Sequence, residues 1–298
     1  MANLTRVVNA LYCQPWLITP EMHQRLCEIV NRHLDGTAHN VGGCANIEHA
    51  ENHGPIEAQT VEWWQTWDKW EGVQPNGVSW VGGVAVVDIN GVIGRKFSLM
   101  LNHSGVTSID VLDRMMMAAL ADEKVEALVL DIDSPGGTVA GVPETSKAVA
   151  MFAQQKPIVA YCGGTMASAA YWLGCGADAI YAAESADIGS IGVYSAFLDQ
   201  SRAYEMEGFK VELFKTGKFK GMGMPGLPLT DDQRALIQDD VDEIFDWFKG
   251  AVRSNRGSVS DDAMQGQTFF GAEARQRGLI DTIGTLNDAI EYASNQVR

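Results

Sequence analysis

Short runs of strand-forming residues alternate with helical patterns from about residue 80 to the end of the chain. Residues 84–89 and 125–132 are apolar runs of strand length, and apolar residues recur at helical spacing in 107–122 and 138–154. Consecutive strands joined through a helix are parallel, because the helix carries the chain back to the same end of the sheet. The alternation predicts an α/β fold with an at least partly parallel sheet, in which Asn90-Gly91 marks a tight turn.

Residues 1–77 have a different pattern. The Thr-Pro-Glu sequence at 19–21 is typical of a helix start, since threonine caps, proline fits the first turn and an acid favours the positive end of the helix. Residues 36–60 are rich in Gly, Asn and His, as linkers often are. We therefore expect an N-terminal helical segment and linker over residues 1–77 and a main domain over residues 78–298.

Charge and cysteine content restrict the partners and the compartment. The chain has 38 acidic and 22 basic residues and a net charge of −16, whereas nucleic-acid binding needs an excess of Lys and Arg. Five scattered cysteines are too few, and odd in number, for a disulfide framework, which favours a reducing compartment. The first 20 residues lack the apolar run of a signal peptide, and glycines interrupt the uncharged stretch 157–177. We expect no nucleic acid, no signal peptide and no membrane span.

Two segments between a strand and a helix are rich in small residues. Ser-Pro-Gly-Gly at 134–137 follows a strand, and backbone N–H groups beside a helix N-terminus suit negative charge that develops on an oxygen. A turn that uses glycine only for its backbone freedom fits equally well. In the second segment, 161–172, Ser168 is either a nucleophile or a small helix-packing residue. Neither segment matches a P-loop, a dinucleotide fingerprint or a nucleophile elbow.

A nucleophilic serine needs a base, and the histidines are poorly distributed for that role. All six lie upstream of residue 104, which makes a Ser-His triad unpromising. Lysine is the other candidate, and four of the ten lysines lie between Lys210 and Lys220. Burial and neighbouring cations would lower the pKa of one of them from about 10.4. A solvated basic loop is the alternative interpretation.

Five segments in this order resemble the signal peptide peptidase A family of serine peptidases, and the similarity runs from about Val84 to the C-terminus. They are Ser-Pro-Gly-Gly at 134–137, Met-Ala-Ser-Ala-Ala-Tyr-Trp at 166–172, Gly-Ser-Ile-Gly-Val at 189–193, Thr-Gly-Lys-Phe-Lys at 216–220, and the Gly-Ala-Glu-Ala and Gly-Leu-Ile-Asp pair within 271–281. The resemblance implies a Clp/crotonase-like fold of repeated ββα units and a Ser-Lys dyad, without cofactor or metal.

The same resemblance implies a role for each matching residue. By position, the nucleophile is Ser168, the general base is Lys220, and the oxyanion is bound by the backbone N–H groups of Gly137 and Ala169. Many family members have Gly-Gly after the serine, whereas this chain has Ala169-Ala170. An N–H group is present in either case, so the departure affects the room for substrate more than the oxyanion site.

Residues 10–22 resemble the opening of phage head proteases related to the lambda minor capsid protein C, whereas membrane-bound signal peptide peptidases usually carry an anchor. This branch implies cleavage of scaffold or other capsid assembly proteins, and a location in the bacterial cytoplasm or in the phage prohead or virion. It also implies a homo-oligomeric ring, in which the Ser and Lys of one site can come from neighbouring subunits.

Other functions remain compatible with the sequence. A crotonase-like acyl-CoA enzyme shares the paired oxyanion donors, a catalytically idle capsid or scaffold-interacting protein would share the fold, and a signal-peptide-degrading peptidase would share the chemistry. His39, Cys44, His49 and His53 match no common zinc spacing, so we expect a polar loop there. The tryptophan stripe of residues 63–70 is either a partner-binding surface or packs on the main domain.

Overall fold

The computed structural model describes residues 16–18, 78–95 and 106–297 of the chain. Its strands are β1 (Trp16–Ile18), β2 (Val78–Val81), β3 (Val84–Gly94), β4 (Thr107–Ser108), β5 (Ala127–Thr138), β6 (Ile158–Cys162), β7 (Thr165–Ala167), β8 (Ala179–Ala182), β9 (Asp187–Gly189), β10 (Thr268–Phe270) and β11 (Thr282–Ile283). Its α-helices are α1 (Ile109–Ala121), α2 (Val142–Ala153), α3 (Ala169–Gly174), α4 (Ser201–Met206), α5 (Asp231–Asn255), α6 (Gly271–Gln276) and α7 (Leu286–Asn295).

Two sheets meet at the long strand β5. The main sheet has the order β3-β5-β6-β8-β11 with all neighbours parallel, and β2 adds to β3 in the antiparallel direction. In the smaller sheet β7 pairs with β9 in parallel, and β10 pairs with β9 in the antiparallel direction. Ser134 of β5 pairs with Met166 of β7, so β5 belongs to both sheets. The predicted parallel α/β fold is confirmed.

Units of two strands and a helix repeat along the chain. β6 lies in the main sheet, β7 lies in the smaller sheet, and α3 follows them. β5 runs through both sheets before α2, and β8 and β9 repeat the passage from one sheet to the other. This repetition confirms the ββα organisation expected of a Clp/crotonase-like fold.

Alternating side chains of β5 enter two separate cores. Leu128, Leu130 and Ile132 are fully buried in a core that includes residues of α1, α2, α3 and α5. Within this core Trp172 stacks on Phe248, with ring centroids 4.5 Å apart and planes 3° apart. Ala127, Val129 and their neighbours face the other way, against α7. The main sheet is therefore covered on both faces, as parallel sheets generally are.

Two glycine-containing segments that we expected to be turns lie inside strands. Asn90-Gly91 forms a bulge in β3, where the pairing with β5 shifts and Gly91 has φ +65°. The hydroxyl of Thr107 accepts from the N–H of Asn90 and donates to its C=O, both at 2.9 Å, which holds the strand through the bulge. Likewise β5 continues through residues 134–137 to Thr138, because β3 and β1 pair with it there.

Most of the N-terminal part lies outside the described residues. The expected helix after residue 19, the linker, the His39–Cys44–His49–His53 group and the tryptophan stripe all fall there, so the division at residue 77 stays a prediction. β1 is the exception, and it pairs antiparallel with the end of β5. Over residues 16–18, 78–95 and 106–297, no helix is both long and apolar enough to cross a bilayer.

Candidate active site

Ser168 joins β7 to α3 with a backbone conformation that serine rarely adopts. Its φ is 56° and its ψ is −119°, a combination that costs about 1–3 kcal/mol and persists only where the surroundings impose it. Its N–H donates to the carbonyl of Gly189 at 2.7 Å, and its carbonyl accepts from the N–H of Trp172 at 2.9 Å. Hydrogen bonds to β9 and to α3 therefore hold Ser168 in this conformation.

The hydroxyl of Ser168 has no evident structural task. The residue is 1% exposed and is followed by the buried Ala169 and Ala170. The side chain does not cap α3, and no hydrogen bond ties its hydroxyl to the described part of the chain. A serine held under strain, with a hydroxyl that stabilises nothing nearby, has the features of a reactive group.

The two small-residue segments that the sequence singled out lie side by side. β7 runs parallel to β5 with Met166 opposite Ser134. Ser168 follows Met166 by two residues, as Gly136 follows Ser134, and at Ser168 the chain leaves β7 and enters α3. The fold therefore brings the predicted nucleophile next to the predicted oxyanion segment.

Within residues 134–137 the serine and the glycines have distinct structural tasks. The buried Ser134 hydroxyl donates to the carbonyl of Gly91 at 2.6 Å and accepts from the N–H of Gly136 at 3.1 Å. It therefore links β5 to the bulge of β3. Gly136 has φ +105°. A Cβ on Gly137 would lie 1.7 Å from the carbonyl oxygen of Ile93, so only glycine fits there. Both glycines are needed for strand geometry, whatever else Gly137 does.

Ala169 supplies the other predicted oxyanion donor. It is the first residue of α3, and the N–H groups in the first turn of a helix have no acceptor within the helix. The partial positive charge of the helix N-terminus lies at the same place, although α3 is only six residues long. The N–H of Ala169 directly follows the strained Ser168, as the predicted oxyanion role requires.

Residues 189–190 brace Ser168, a role that our sequence analysis did not assign. Gly189 accepts the Ser168 hydrogen bond, and Ser190 has φ +50° and donates its N–H to Gln267 at 2.8 Å. Ser168 and Ser190 are the only non-glycine residues with positive φ in the described part of the chain. The sequence feature that marks this brace is the Gly189-Ser190 pair at the end of a strand-forming run. The residue that binds Ser190, Gln267, is far away in sequence, so the brace could not be inferred.

The predicted base lies on an exposed segment. Lys220 is exposed, and within the described residues its ammonium makes no ion pair and no hydrogen bond with Ser168. Its neighbours are occupied: Lys215 donates to the carbonyl of Lys218 at 2.8 Å, and Lys218 pairs with Asp232 at 2.6 Å. In the single chain, therefore, no hydrogen bond joins the predicted nucleophile to the predicted base.

Acidic side chains line β5 on the approach to the site. Asp133 accepts from the N–H of Thr165 at 2.9 Å, which fixes the start of β7 and hence the strand that leads to Ser168. Asp131 lies opposite Asp88 of β3. Burial, with smaller contributions from the charges of Asp88 and Asp133, raises the pKa of Asp131 to about 6.

Other reactive groups near the site are unsuited to catalysis. Cys162 and Cys175 are buried, and burial raises the pKa of each thiol to about 12, which suppresses the reactive thiolate. Across residues 78–95 and 106–297 no three His, Cys, Asp or Glu side chains are placed to hold a metal ion. Ser168 is the buried side chain whose geometry calls for a chemical explanation.

Comparisons with known proteins agree on a peptidase family. The chain is 30% identical over 213 residues to the head-tail preconnector protein GP5 of Enterobacteria phage P21, covering 70% of this chain and 42% of that protein. It is 28% identical over 212 residues to the capsid assembly protease C of Escherichia phage lambda, covering 70% and 48%. It is 28% identical over 236 residues to the chloroplastic serine protease SPPA of Arabidopsis thaliana, covering 76% and 35%. The chain thus spans less than half the length of these three relatives.

Solved structures give a weaker likeness. An enoyl-CoA hydratase/isomerase family member has a TM-score of 0.41 at 18% identity, covering 74% of each chain. A mutant of a membrane-bound stomatin-specific protease has a TM-score of 0.40 at 15% identity, covering 69% of this chain and 81% of that one. The sequence model of peptidase family S49 matches residues 150–298, half of the chain, which include Ser168 and Lys220. The chain therefore belongs to peptidase family S49.

Proposed function

We propose that the chain is a serine endopeptidase with Ser168 as nucleophile and Lys220 as general base. The observation that carries the proposal is the strained, buried Ser168, which follows the strand paired with Ser134 and whose hydroxyl has no structural partner among the described residues. Membership of a peptidase family makes a peptide carbonyl the natural target.

The proposed reaction follows from these positions. Neutral Lys220 takes the proton of the Ser168 hydroxyl while Oγ attacks the carbonyl carbon, and the N–H groups of Gly137 and Ala169 stabilise the resulting oxyanion. The intermediate collapses when the amine leaves with the proton from Lys220. Water, deprotonated by the same lysine, then hydrolyses the acyl-enzyme and frees Ser168.

Subunit association completes this site in our proposal. The segment that carries Lys220 is rich in exposed apolar side chains: Phe214 is 92%, Met206 81% and Phe209 61% exposed. Apolar surface of this kind favours contact with another protein, and a second copy would bury Lys220 and bring it to Ser168. We propose a homo-oligomeric ring in which neighbouring chains contribute to one site.

We also propose that the substrates are scaffold or other capsid assembly proteins and that the protein acts in the prohead. Support comes from the similarity to the capsid assembly protease of phage lambda and to the preconnector protein of phage P21. A signal-peptide-degrading peptidase and a catalytically idle capsid protein are the competing possibilities, and cleavage assays separate all three.

Cleavage of co-expressed scaffold tests the nucleophile. Ser168→Ala should reduce cleavage by about 10³-fold or more. Ser254→Ala, which removes a surface hydroxyl bonded to the carbonyl of Gly250 in α5, should leave it unchanged. Retained cleavage in pure Ser168→Ala protein would exclude Ser168 as nucleophile. Cleavage of signal peptides but not of scaffold would favour the second activity, and cleavage of neither by wild type would favour the idle protein.

Mixing variants tests the ring. If Ser168 and Lys220 of one site come from different chains, Ser168→Ala and Lys220→Ala chains should together restore part of the cleavage that each lacks alone. Activity per chain should also fall on dilution. A mixture that oligomerises but stays inactive would place both residues of the dyad in one chain.

A further inference from the structure

Three short strands cover one edge of β5. β3 pairs with β5 over most of its length, including Gly136 and Gly137. Because Gly136 and Gly137 also pair with β1, β1 must lie on the edge opposite β3. On that edge β6 covers residues 128–131, β7 covers Ser134, and β1 covers residues 136–138.

Apart from β1, no strand described here covers the end of this edge, at residues 136–138. β7 stops at Ala167, one residue beyond its pairing with Ser134, and the positive φ of Ser168 then turns the chain into α3. The N–H and C=O groups of residues 136–138 on this side are consequently free for another strand. β1 is that strand, with Trp16 opposite Thr138, Leu17 opposite Gly137 and Ile18 opposite Gly136.

A peptide substrate needs the same edge. For its carbonyl to reach both Ser168 and the N–H of Gly137, an extended substrate must lie beside residues 136–138. Extended peptides commonly bind by adding a strand to such an edge through main-chain hydrogen bonds. Residues 136 and 137 are both glycines, so neither has a side chain that could obstruct a strand added at this edge. β1 and a substrate strand cannot occupy this place together.

We propose that Trp16–Ile18 is a built-in pseudosubstrate that occupies the docking site of an extended polypeptide and must leave before cleavage. The substrate strand then lies antiparallel to residues 136–138, as β1 does. This inference rests on the proposed function for the roles of Ser168 and Gly137. If β1 is docked in nine chains of ten, it weakens apparent substrate affinity about tenfold.

A reversible cross-link tests the proposal in the full chain. Cα atoms of antiparallel partners lie about 4.5–5.5 Å apart, within the range that a disulfide spans. Trp16→Cys combined with Thr138→Cys, in a Cys13→Ser background, should therefore lock β1 in place when oxidised. The single Trp16→Cys and Thr138→Cys variants are matched controls that cannot form this bond.

Two readouts are measured on the locked and reduced forms. The first is cleavage of a fluorogenic peptide. The second is binding of a labelled synthetic peptide with the sequence of residues 12–22, measured by fluorescence anisotropy in Ser168→Ala chains, which does not depend on catalysis. Oxidation should lower both by at least about tenfold, and reduction should restore them.

A second variant keeps the proposal testable if the double cysteine chain fails to fold. Leu17→Pro removes a backbone N–H and disfavours pairing in β1, so it should raise peptide affinity about tenfold. Leu17→Val keeps the N–H and a strand-forming side chain, and should bind the peptide as wild type does.

The outcomes separate this inference from the proposed function. Failure of the disulfide to form, or equal peptide binding by the oxidised and reduced chains, would overturn the pseudosubstrate. Ser168-dependent cleavage that neither the lock nor Leu17→Pro alters would also overturn it, and would leave the proposed function standing. The expected binding changes without any cleavage by wild type would support the strand site and refute the proposed peptidase activity.

Discussion

Replacing Ser168 with glycine should make the chain more stable than replacing it with alanine. Both changes remove the hydroxyl, which makes no hydrogen bond to a described residue, so the comparison isolates the backbone. At φ 56° and ψ −119° a Cβ costs about 1–3 kcal/mol, which alanine retains and glycine avoids. Glycine loses about 0.5–1 kcal/mol more conformational entropy on folding. The difference left is about 1 kcal/mol in favour of glycine.

Urea unfolding followed by circular dichroism measures this difference in the free energy of unfolding, and we expect the same slope of that free energy against urea concentration for both variants. A difference of 1 kcal/mol corresponds to about 2–4 °C in Tm for a domain of this size. Ala235→Gly on an exposed turn of α5 is the control, because the same Ala-to-Gly change in a regular helix should destabilise by about 1 kcal/mol. If Ser168→Gly is instead the less stable variant by a similar amount, the backbone at Ser168 stores no strain.

Three further predictions concern Lys220, Gly137 and Asp131. Lys220→Arg should be as inactive as Lys220→Ala, because guanidinium stays protonated, whereas Lys218→Ala should keep most of the cleavage rate. The opposite ranking in the cleavage assay would make Lys218 the base. Gly137→Ala should lower the free energy of unfolding by at least about 2 kcal/mol, because the new Cβ would lie 1.7 Å from the Ile93 carbonyl oxygen. Gly250→Ala, at a helix position with open space around it, should raise that free energy by about 0.5–1 kcal/mol. Thermal unfolding measures both, and equal effects would contradict this. Because the folded pKa of Asp131 is raised to about 6, its carboxylate should destabilise the fold progressively between about pH 4 and pH 6, and by a constant amount at higher pH. In urea titrations Asp131→Asn should therefore gain about 1 kcal/mol at pH 8, after solvent screening, but little at pH 4; a gain that does not change with pH would refute this.

The fold class followed from the sequence because its signals are local. A buried parallel strand such as β5 is apolar on both faces, and the helices around it carry a clear helical period. The start of α3 directly after Ser168 is also encoded locally, by a run of small residues after a strand. These features need no knowledge of which distant segment lies beside them.

The two wrong turn predictions have a common physical cause. Glycine permits a turn, a bulge and a close backbone contact alike, and the choice among them depends on distant partners. Gly91 is in a bulge because Thr107 and β5 hold the strand, and Gly137 stays in β5 because β3 and β1 flank it. The brace of Ser168 by Gly189 and Gln267 escaped prediction for the same reason. The roles of Ser168, Lys220, Gly137 and Ala169 stay predictions, which the assays above address.

The hydrogen bond from Ser190 to Gln267 makes the brace of Ser168 depend on a segment that is synthesised much later. Ser168 leaves the ribosome roughly 100 residues before Gln267, whose carbonyl anchors the residue next to Gly189. At about 5–20 residues per second this interval lasts about 5–20 s. Until then β9, whose Gly189 carbonyl receives the Ser168 N–H, is paired only with β7 and lacks both β10 and the anchor of Ser190. A nascent chain therefore lacks part of the support for the strained Ser168 until residues 267–270 have been made.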